Sequence, residues 1–176
     1  MIELFLNQAL VELVRTAVKD FVLSGVQRKT ETSQGRRAGA LFVDKTPEIT
    51  PEVVTESGIT VYNGWLPEKS AANPSDYPFV TVRPTAATVL NGGTQVTEEI
   101  IVGTFSRDNI GYQDVLNVTH RIMMQIAELQ NNVLANKYER MGDMQWSMPF
   151  EQEKPFFMAV ITTMWNIYAT EFHFDI

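Results

Sequence analysis

The apolar residues of this chain form one strong helical pattern between two strand-like runs. Within residues 112–129, apolar side chains recur at spacings of three and four, which places them on one stripe of a helix. They are Val115, Val118, Ile122, Ile126 and Leu129, flanked by Leu116 and Met123. The runs on either side, 94–106 and 155–172, are rich in the β-branched and aromatic residues that favour strands. The pattern predicts a strand–helix–strand core, with the helix covering a sheet.

A second amphipathic helix is predicted over residues 2–23, with Gly25 as its C-terminal cap. Its predicted apolar face consists of Ile2, Leu6, Ala9, Leu10, Leu13, Ala17 and Phe21, broadened by Phe5, Val14, Val18 and Val22. The residues predicted to point away are Glu3, Asn7, Glu12, Arg15 and Lys19. A wide apolar stripe is typical of a helix that packs on a sheet, and a helix lying on a membrane surface is the alternative.

The remaining strands are predicted at residues 38–43, 59–62, 77–84 and 138–148. Asn91-Gly92-Gly93 is a hairpin signal, because glycine tolerates positive φ, and it should join the 77–84 strand to the next one in antiparallel fashion. Residues 85–90 are interpreted as an irregular insert in that hairpin. The last strand has apolar residues on both alternating faces, which is typical of a strand inside an assembly or between helix layers.

These elements predict an α/β (α+β) fold with a mainly antiparallel sheet of four or five strands covered by two helices. A single domain over residues 1–176 is expected, since 44% hydrophobic residues suffice for a core. It divides into an N-terminal helix (1–25), a loop and extended arm (26–58) and a sheet-and-helix core (59–172). Thr46-Pro47 and Thr50-Pro51 favour extended backbone in the arm, because the residue before proline avoids the helical region.

Composition and charge narrow the function classes. Without cysteine, the chain can have neither disulfides nor thiolate metal sites. Its longest apolar runs fall short of the ~20 residues of a membrane span, so we expect no membrane partner and synthesis in the cytoplasm. The net charge is −7. Residues 1–37 hold six Lys/Arg against four Asp/Glu, and the remainder eight against seventeen, so the acidic body is a poor general partner for nucleic acid.

The search for catalytic groups predicts neither an enzyme nor a cofactor. Glu98 and Glu99 are neighbours on a strand, so they point to opposite faces and cannot act together as acid and base; solvation and edge protection are their predicted roles. The only histidines, His120 on the helix surface and His173, lie in different elements without metal-ligand spacing. Phosphate-loop and nucleophile-elbow motifs are absent from the sequence.

Protein interfaces are the better candidates for function. Aromatic residues are enriched at interfaces, and several here are hard to bury within one small domain. A basic loop over residues 28–37 is interpreted in three ways: a solvated loop, a contact with DNA in a channel, or a contact with an acidic protein neighbour. The candidate interface residues are Arg28, Arg36, Arg37, Trp65, Phe172 and Phe174.

The order of several motifs resembles the tail terminators of tailed bacteriophages. They are Tyr77-Pro78-Phe79-Val80-Thr81-Val82-Arg83-Pro84, a strand ending near Phe105-Ser106-Arg107, the helix opening Gly111-Tyr112-Gln113-Asp114-Val115-Leu116-Asn117, then Met144-Gln145-Trp146 and the closing Phe157-Met158-Ala159-Val160-Ile161-Thr162-Thr163-Met164-Trp165. The resemblance covers about residues 59–172 and leaves out the N-terminal helix and the basic loop.

The resemblance implies a non-enzymatic virion protein at the head–tail junction. Such a protein forms a hexameric ring on the head-proximal end of the tail tube, ends tube polymerisation and joins the tail to the head connector. The implied partners are further copies of the chain, the tail tube protein, a connector or neck protein, and a sheath protein if the tail is contractile; DNA only passes through the lumen. Another neck or tube component, or a relative in a bacterial contractile injection machine, is the alternative. Sheet edges and the segment 44–58 are the expected ring contacts.

Overall fold

The chain folds into two helices and a six-stranded sheet in a computed structural model, which describes residues 2–21, 23, 58–66, 77–106, 111–149 and 155–168. In chain order the elements are α1 (Ile2–Val18), β1 (Thr60–Asn63), β2 (Phe79–Leu90), β3 (Gly93–Phe105), α2 (Gly111–Ala127), a 3-10 turn (Gln130–Asn132), β4 (Val133–Leu134), β5 (Tyr138–Ser147) and β6 (Phe156–Tyr168). The α+β class is as predicted.

The sheet order is β1-β2-β3-β6-β5-β4. Every neighbouring pair is antiparallel except β1 and β2, which are parallel. The prediction of four or five strands was wrong. The two-residue β4 is too short to leave a hydrophobic pattern, and the parallel pair is possible because the chain between β1 and β2 is long enough for a crossover.

The hairpin predicted at Asn91-Gly92-Gly93 is confirmed. β2 and β3 are antiparallel, and Leu90 is paired with Gly93 across a two-residue turn in which Gly92 has φ of 99°. Residues 85–90 are not an irregular insert, because β2 continues through them after a register shift between Pro84 and Ala86. A proline lacks the amide N–H that a ladder needs, so the strand absorbs Pro84 with a bulge and then resumes.

Helix α2 covers the centre of the sheet, as predicted. Its stripe residues Val115, Val118, Ile122 and Ile126 are fully buried, and the helix packs on β3 and β6. Helix α1 packs on β1, β2 and α2. Because α1 contacts both the sheet and a second helix, its buried face is rotated from the prediction. Asn7 is buried, although it was predicted to point away, and Phe5 is exposed.

The strands present one face to the helices, which we call the covered face, and the opposite face, which we call the open face. On β3 and β6 the covered face consists of Val96, Glu98, Ile100, Val102 and Thr104 with Phe157, Ala159, Ile161, Thr163, Trp165 and Ile167, all buried. The alternate residues are mostly half-buried or exposed. Neither described helix lies over the open face, so within the described ranges β6 is not sandwiched between two helix layers.

Several predicted elements lie outside the described residues: the strand at 38–43, most of the extended arm, the basic loop and the last eight residues. Neither described helix is long and apolar enough to span a lipid bilayer.

Candidate functional site

Two edge segments of the sheet have no pairing strand among the described residues. β1 pairs only with residues 79–82 of β2, which leaves 83–90 with one unpaired side. β4 pairs only with Tyr138 and Glu139 of β5, which leaves the outer side of residues 140–147 unpaired as well. Large apolar side chains are exposed on both segments: Val89 (83% exposed) and Leu90 at the hairpin tip, and Trp146 on β5. Such edges readily pair with another strand.

An aromatic cluster lies at one end of the open face. Tyr77 contacts Phe79 and Phe156 with ring centroids 4.9 and 4.7 Å apart, and Phe105 lies 5.5 Å from Phe156. Gly103 makes room for the ring of Phe79, since a Cβ there would lie 2.3 Å from Phe79 Cε1. Phe79 is therefore buried although it lies on the open face, whereas Phe105 remains exposed.

A charged group lies in the middle of the open face. The Arg83 guanidinium donates to Oε2 of Glu99 from Nη2 at 2.9 Å and from Nε at 3.3 Å. The same guanidinium lies over the Trp65 ring, 4.6 Å from its centroid. Trp65 is 75% exposed, so this predicted interface residue is on the surface next to the open face. The remaining candidates, Arg28, Arg36, Arg37, Phe172 and Phe174, lie outside the described residues.

At the hairpin end of the open face, a tyrosine and a carboxylate are paired across β6 and β5. The Tyr168 hydroxyl donates a hydrogen bond to Oε2 of Glu139. This hydrogen bond raises the pKa of Tyr168 above its ordinary value, since loss of the proton would place two negative groups together. The pair ties the end of β6 to β5 on a surface that otherwise carries mainly uncharged polar side chains, among them Gln95, Thr97 and Asn166.

Glu98 contradicts the role predicted for it. It is fully buried on the covered face, not solvated, and neither carboxylate oxygen has a hydrogen-bond partner. The polar groups nearby form hydrogen bonds that do not involve this carboxyl. Trp165 Nε1 donates to Thr163 Oγ1 at 2.9 Å, and the Thr163 hydroxyl donates to the backbone carbonyl of Glu98 at 3.4 Å. Burial raises the pKa of Glu98 from 4.5 to about 8, so the carboxyl is mainly protonated at neutral pH.

The Glu98 position coincides with a bend in the sheet. Glu98 is paired with Pro84 on β2 and Thr163 on β6. The register shift of β2 lies beside Pro84, and that of β5, between Met141 and Gln145, lies opposite Thr163. Bulges bend a strand and increase its twist, so both flanks of the sheet bend at this one row.

One cavity, of about 560 Å³, lies between the end of α1 and β1 and is lined by Arg15, Thr16, Val18, Lys19, Gly58, Ile59, Thr60 and Val61. Its described lining lacks a carboxylate or histidine to act as a general acid or base. The described residues also lack any group of three or more His, Cys, Asp or Glu side chains placed to hold a metal ion. His120 is exposed, as predicted.

Sequence reasoning expected sheet edges to be contacts but missed which segments form them, and it missed the burial of Glu98. The phase of β3 contained a signal for Glu98, since Val96, Ile100 and Val102 alternate on one face and Glu98 falls in their phase. Comparisons with known proteins identify no relative: no protein-family model matches the chain, and no curated protein matches it.

Proposed function

We propose that the chain is a structural subunit of a tailed-bacteriophage virion. In this proposal several copies, six as in the family that the sequence resembles, form a closed ring at the head-proximal end of the tail tube. The ring ends tube polymerisation and joins the tail to the head. The protein has no catalytic role in this proposal.

The observation that carries the proposal is the pair of edge segments, on opposite sides of one sheet, that have no pairing strand among the described residues. A ring needs two different, mutually complementary patches on each subunit, because its contacts are heterologous. Residues 83–90 supply a patch on one side and residues 140–147 supply another on the far side. The unpaired backbone groups of both segments are available for pairing with another strand.

The ends of the sheet supply surfaces for the other proposed partners. The aromatic cluster with exposed Phe105 lies at one end, and the hairpin tip with exposed Val89 and Leu90 lies at the other. In a ring closed through the sheet edges, these two ends face along the axis in opposite directions. One would meet the tail tube protein and the other a connector or neck protein, with sheath protein outside in a contractile tail. DNA would pass through the lumen.

The same edges suit a second candidate function, an open polymer such as a tail tube or injection-machine component. Heterologous contacts that do not close produce filaments instead of rings. Light scattering on the purified chain at increasing concentration separates the two: a ring reaches a fixed mass, whereas a filament keeps growing.

Electron microscopy of virus particles made without this chain tests the proposal directly. We expect tails of uncontrolled length that fail to join heads, and restoration of both properties when the wild-type chain is supplied in trans. Tails of normal length without attached heads would favour a neck component. Normal, head-joined tails would contradict both candidate functions.

A further inference from the structure

We infer that β2 residues 84–90 of one copy pair directly, in antiparallel fashion, with β5 residues 141–147 of the next copy, so that the ring contains one sheet continuous across subunits. This inference rests on the proposed function, since it specifies how the proposed ring closes. The occupant of each edge is therefore a second copy of this chain.

Strand direction permits this pairing. β2 is antiparallel to β3, β3 to β6, and β6 to β5, so β2 and β5 run in opposite directions within one subunit. Placing a second copy beside the first in the same orientation brings its β5 against the outer side of β2. The new ladder is then antiparallel, the pairing used by four of the five strand pairs inside the subunit.

The short outer strands β1 and β4 do not obstruct the contact. β1 pairs with β2 only before residue 83. In an antiparallel ladder, this end of the β2 window lies against the C-terminal end of β5 of the next copy, at Ser147. β4 covers β5 only at Tyr138 and Glu139, and that end meets the hairpin turn where β2 ends, at Leu90. Among the described residues, each short strand thus limits one end of the ladder and leaves a seven-residue window open, 84–90 on β2 and 141–147 on β5.

The side chains of the β2 window also favour a strand partner. Residues 84–90 are Pro-Thr-Ala-Ala-Thr-Val-Leu, with no charge, and all are exposed. Pro84 and the bulge beside it are the protecting features of this edge, and both lie at its start; residues 86–90 carry neither a charge nor a further proline. The β5 window carries one charged residue between Met141 and Ser147, Asp143, so the two windows do not repel one another.

Full overlap of the windows displaces neighbouring copies along the strands. Within one subunit Met141 is paired with Met164, Met164 with Thr97, and Thr97 with Ala86. Met141 and Ala86 therefore lie in the same row across the sheet. Full overlap instead places Met141 of the next copy level with Leu90, a shift of about four residues or roughly 13 Å. Closing a sheet on itself requires such a stagger, because the strands must tilt relative to the ring axis.

Cysteine cross-linking tests the inference cleanly, because the natural chain contains no cysteine. Thr88→Cys on β2 is combined in turn with Asp143→Cys, Gln145→Cys or Ser147→Cys on β5. Within one subunit three strand spacings, about 14 Å, separate these positions, which exceeds the ~7 Å reach of a disulfide. Any bond between them is therefore intermolecular. We expect one of the three pairs to produce, on oxidation, a ladder of covalent oligomers that ends at the ring.

Direction and register are tested by moving the β2 cysteine. Ala86→Cys then replaces Thr88→Cys. If the ladder is antiparallel, the β5 cysteine that cross-links best should lie two residues closer to the C-terminus than before. A shift toward the N-terminus would overturn the inference. Thr88→Cys paired with Met124→Cys, on the exposed side of α2, is the control and should yield no ladder.

The other outcomes separate this inference from the proposed function. Efficient dimers from Thr88→Cys alone would mean that two β2 edges pair with each other, and would overturn the heterologous contact. Closed rings by light scattering without any β2–β5 cross-link would overturn edge pairing and leave the ring intact. A monomer at every concentration, without cross-links, would overturn the inference. The tail-length experiment would then decide the proposed function independently.

Discussion

The two faces of the sheet are made by alternate residues of the same strands, yet they differ in almost every physical property. On β6 the covered face carries Phe157, Ala159, Ile161, Thr163, Trp165 and Ile167, all buried, and helix α2 packs on this strand. The open face carries the residues between them, of which Met164 and Tyr168 are exposed. The covered face is buried and mainly apolar, whereas the open face combines an aromatic end with a charged centre.

This difference shows that buried and more exposed positions are encoded in opposite phases of the same strands. A period of two separates the phases, so adjacent residues can have unrelated roles. Glu98 and Glu99 are the sharpest example: one is buried without a partner, and the other is half-buried and paired with Arg83. Adjacent substitutions can therefore test the comparison with the strand held constant.

The largest expected effect comes from the neighbouring pair Trp165 and Met164. Trp165→Ala should lower the free energy of unfolding by about 3–5 kcal/mol, because it opens a cavity in the core and removes the donor to Thr163. Met164→Ala, on the open face, should cost less than about 1 kcal/mol. Urea unfolding monitored by circular dichroism measures both. Equal losses would mean that the open face is as much a part of the core as the covered face.

The second expected effect is a pH dependence that belongs to Glu98. Its pKa is about 8 in the folded state and near 4.5 when unfolded, so the folded state holds the proton more tightly. The contribution of Glu98 to the free energy of unfolding should therefore be greatest below about pH 4.5. It should fall by up to about 1.4 kcal/mol per pH unit until about pH 8. Glu98→Gln should remove this slope and raise stability at pH 8. Glu99→Gln is the matched control: it should keep the slope and cost at most about 1 kcal/mol.

A smaller effect is expected where the open face is locally closed, at Gly103. Gly103→Ala should cost about 1–3 kcal/mol, because the new Cβ meets the Phe79 ring. Phe79→Leu removes that ring, so the double variant should cost less than the sum of the two single variants. Strictly additive losses in urea unfolding would show that the ring and the glycine do not constrain each other.

The smallest effect should follow from Trp65, whose contact with Arg83 is largely exposed to water. Trp65→Leu should lower the free energy of unfolding by about 0.5–1 kcal/mol, the usual range for an exposed cation–π pair. Trp65→Phe keeps an aromatic face and should cost less. Thermal unfolding of the three proteins ranks them. A loss above about 2 kcal/mol would place Trp65 among the core residues.

Local patterns were sufficient to predict α2, the hairpin and the presence of α1, although α1 ends at Val18 and not at residue 23 and its buried face differs from the prediction. The stripe from Val115 to Ile126 lies on one face of α2, and its residues are buried as their spacing requires. Asn91 and Gly92 specify a two-residue turn through backbone conformation alone. These features depend on residues near one another in sequence, so one segment contains the whole signal.

The sheet order and the unpaired edges depend on contacts between distant segments, which no single pattern encodes. β6 pairs with β3 across more than 50 residues of sequence. The extent of each unpaired edge is set by how far β1 and β4 reach, and β4 has only two residues. Glu98 was missed for another reason. A glutamate is normally solvated, and the phase of β3 that indicates burial conflicts with that preference.

The location of β6 in the sheet has a consequence for protein synthesis. It is the last described strand in sequence, yet it lies between β3 and β5. During translation the β2–β3 hairpin can form early, since hairpins form within microseconds, but the inner side of β3 lacks its partner until β6 leaves the ribosome. The sheet therefore cannot be completed before β6 is synthesised, and until then the nascent chain exposes an apolar strand to neighbouring chains on the same polysome.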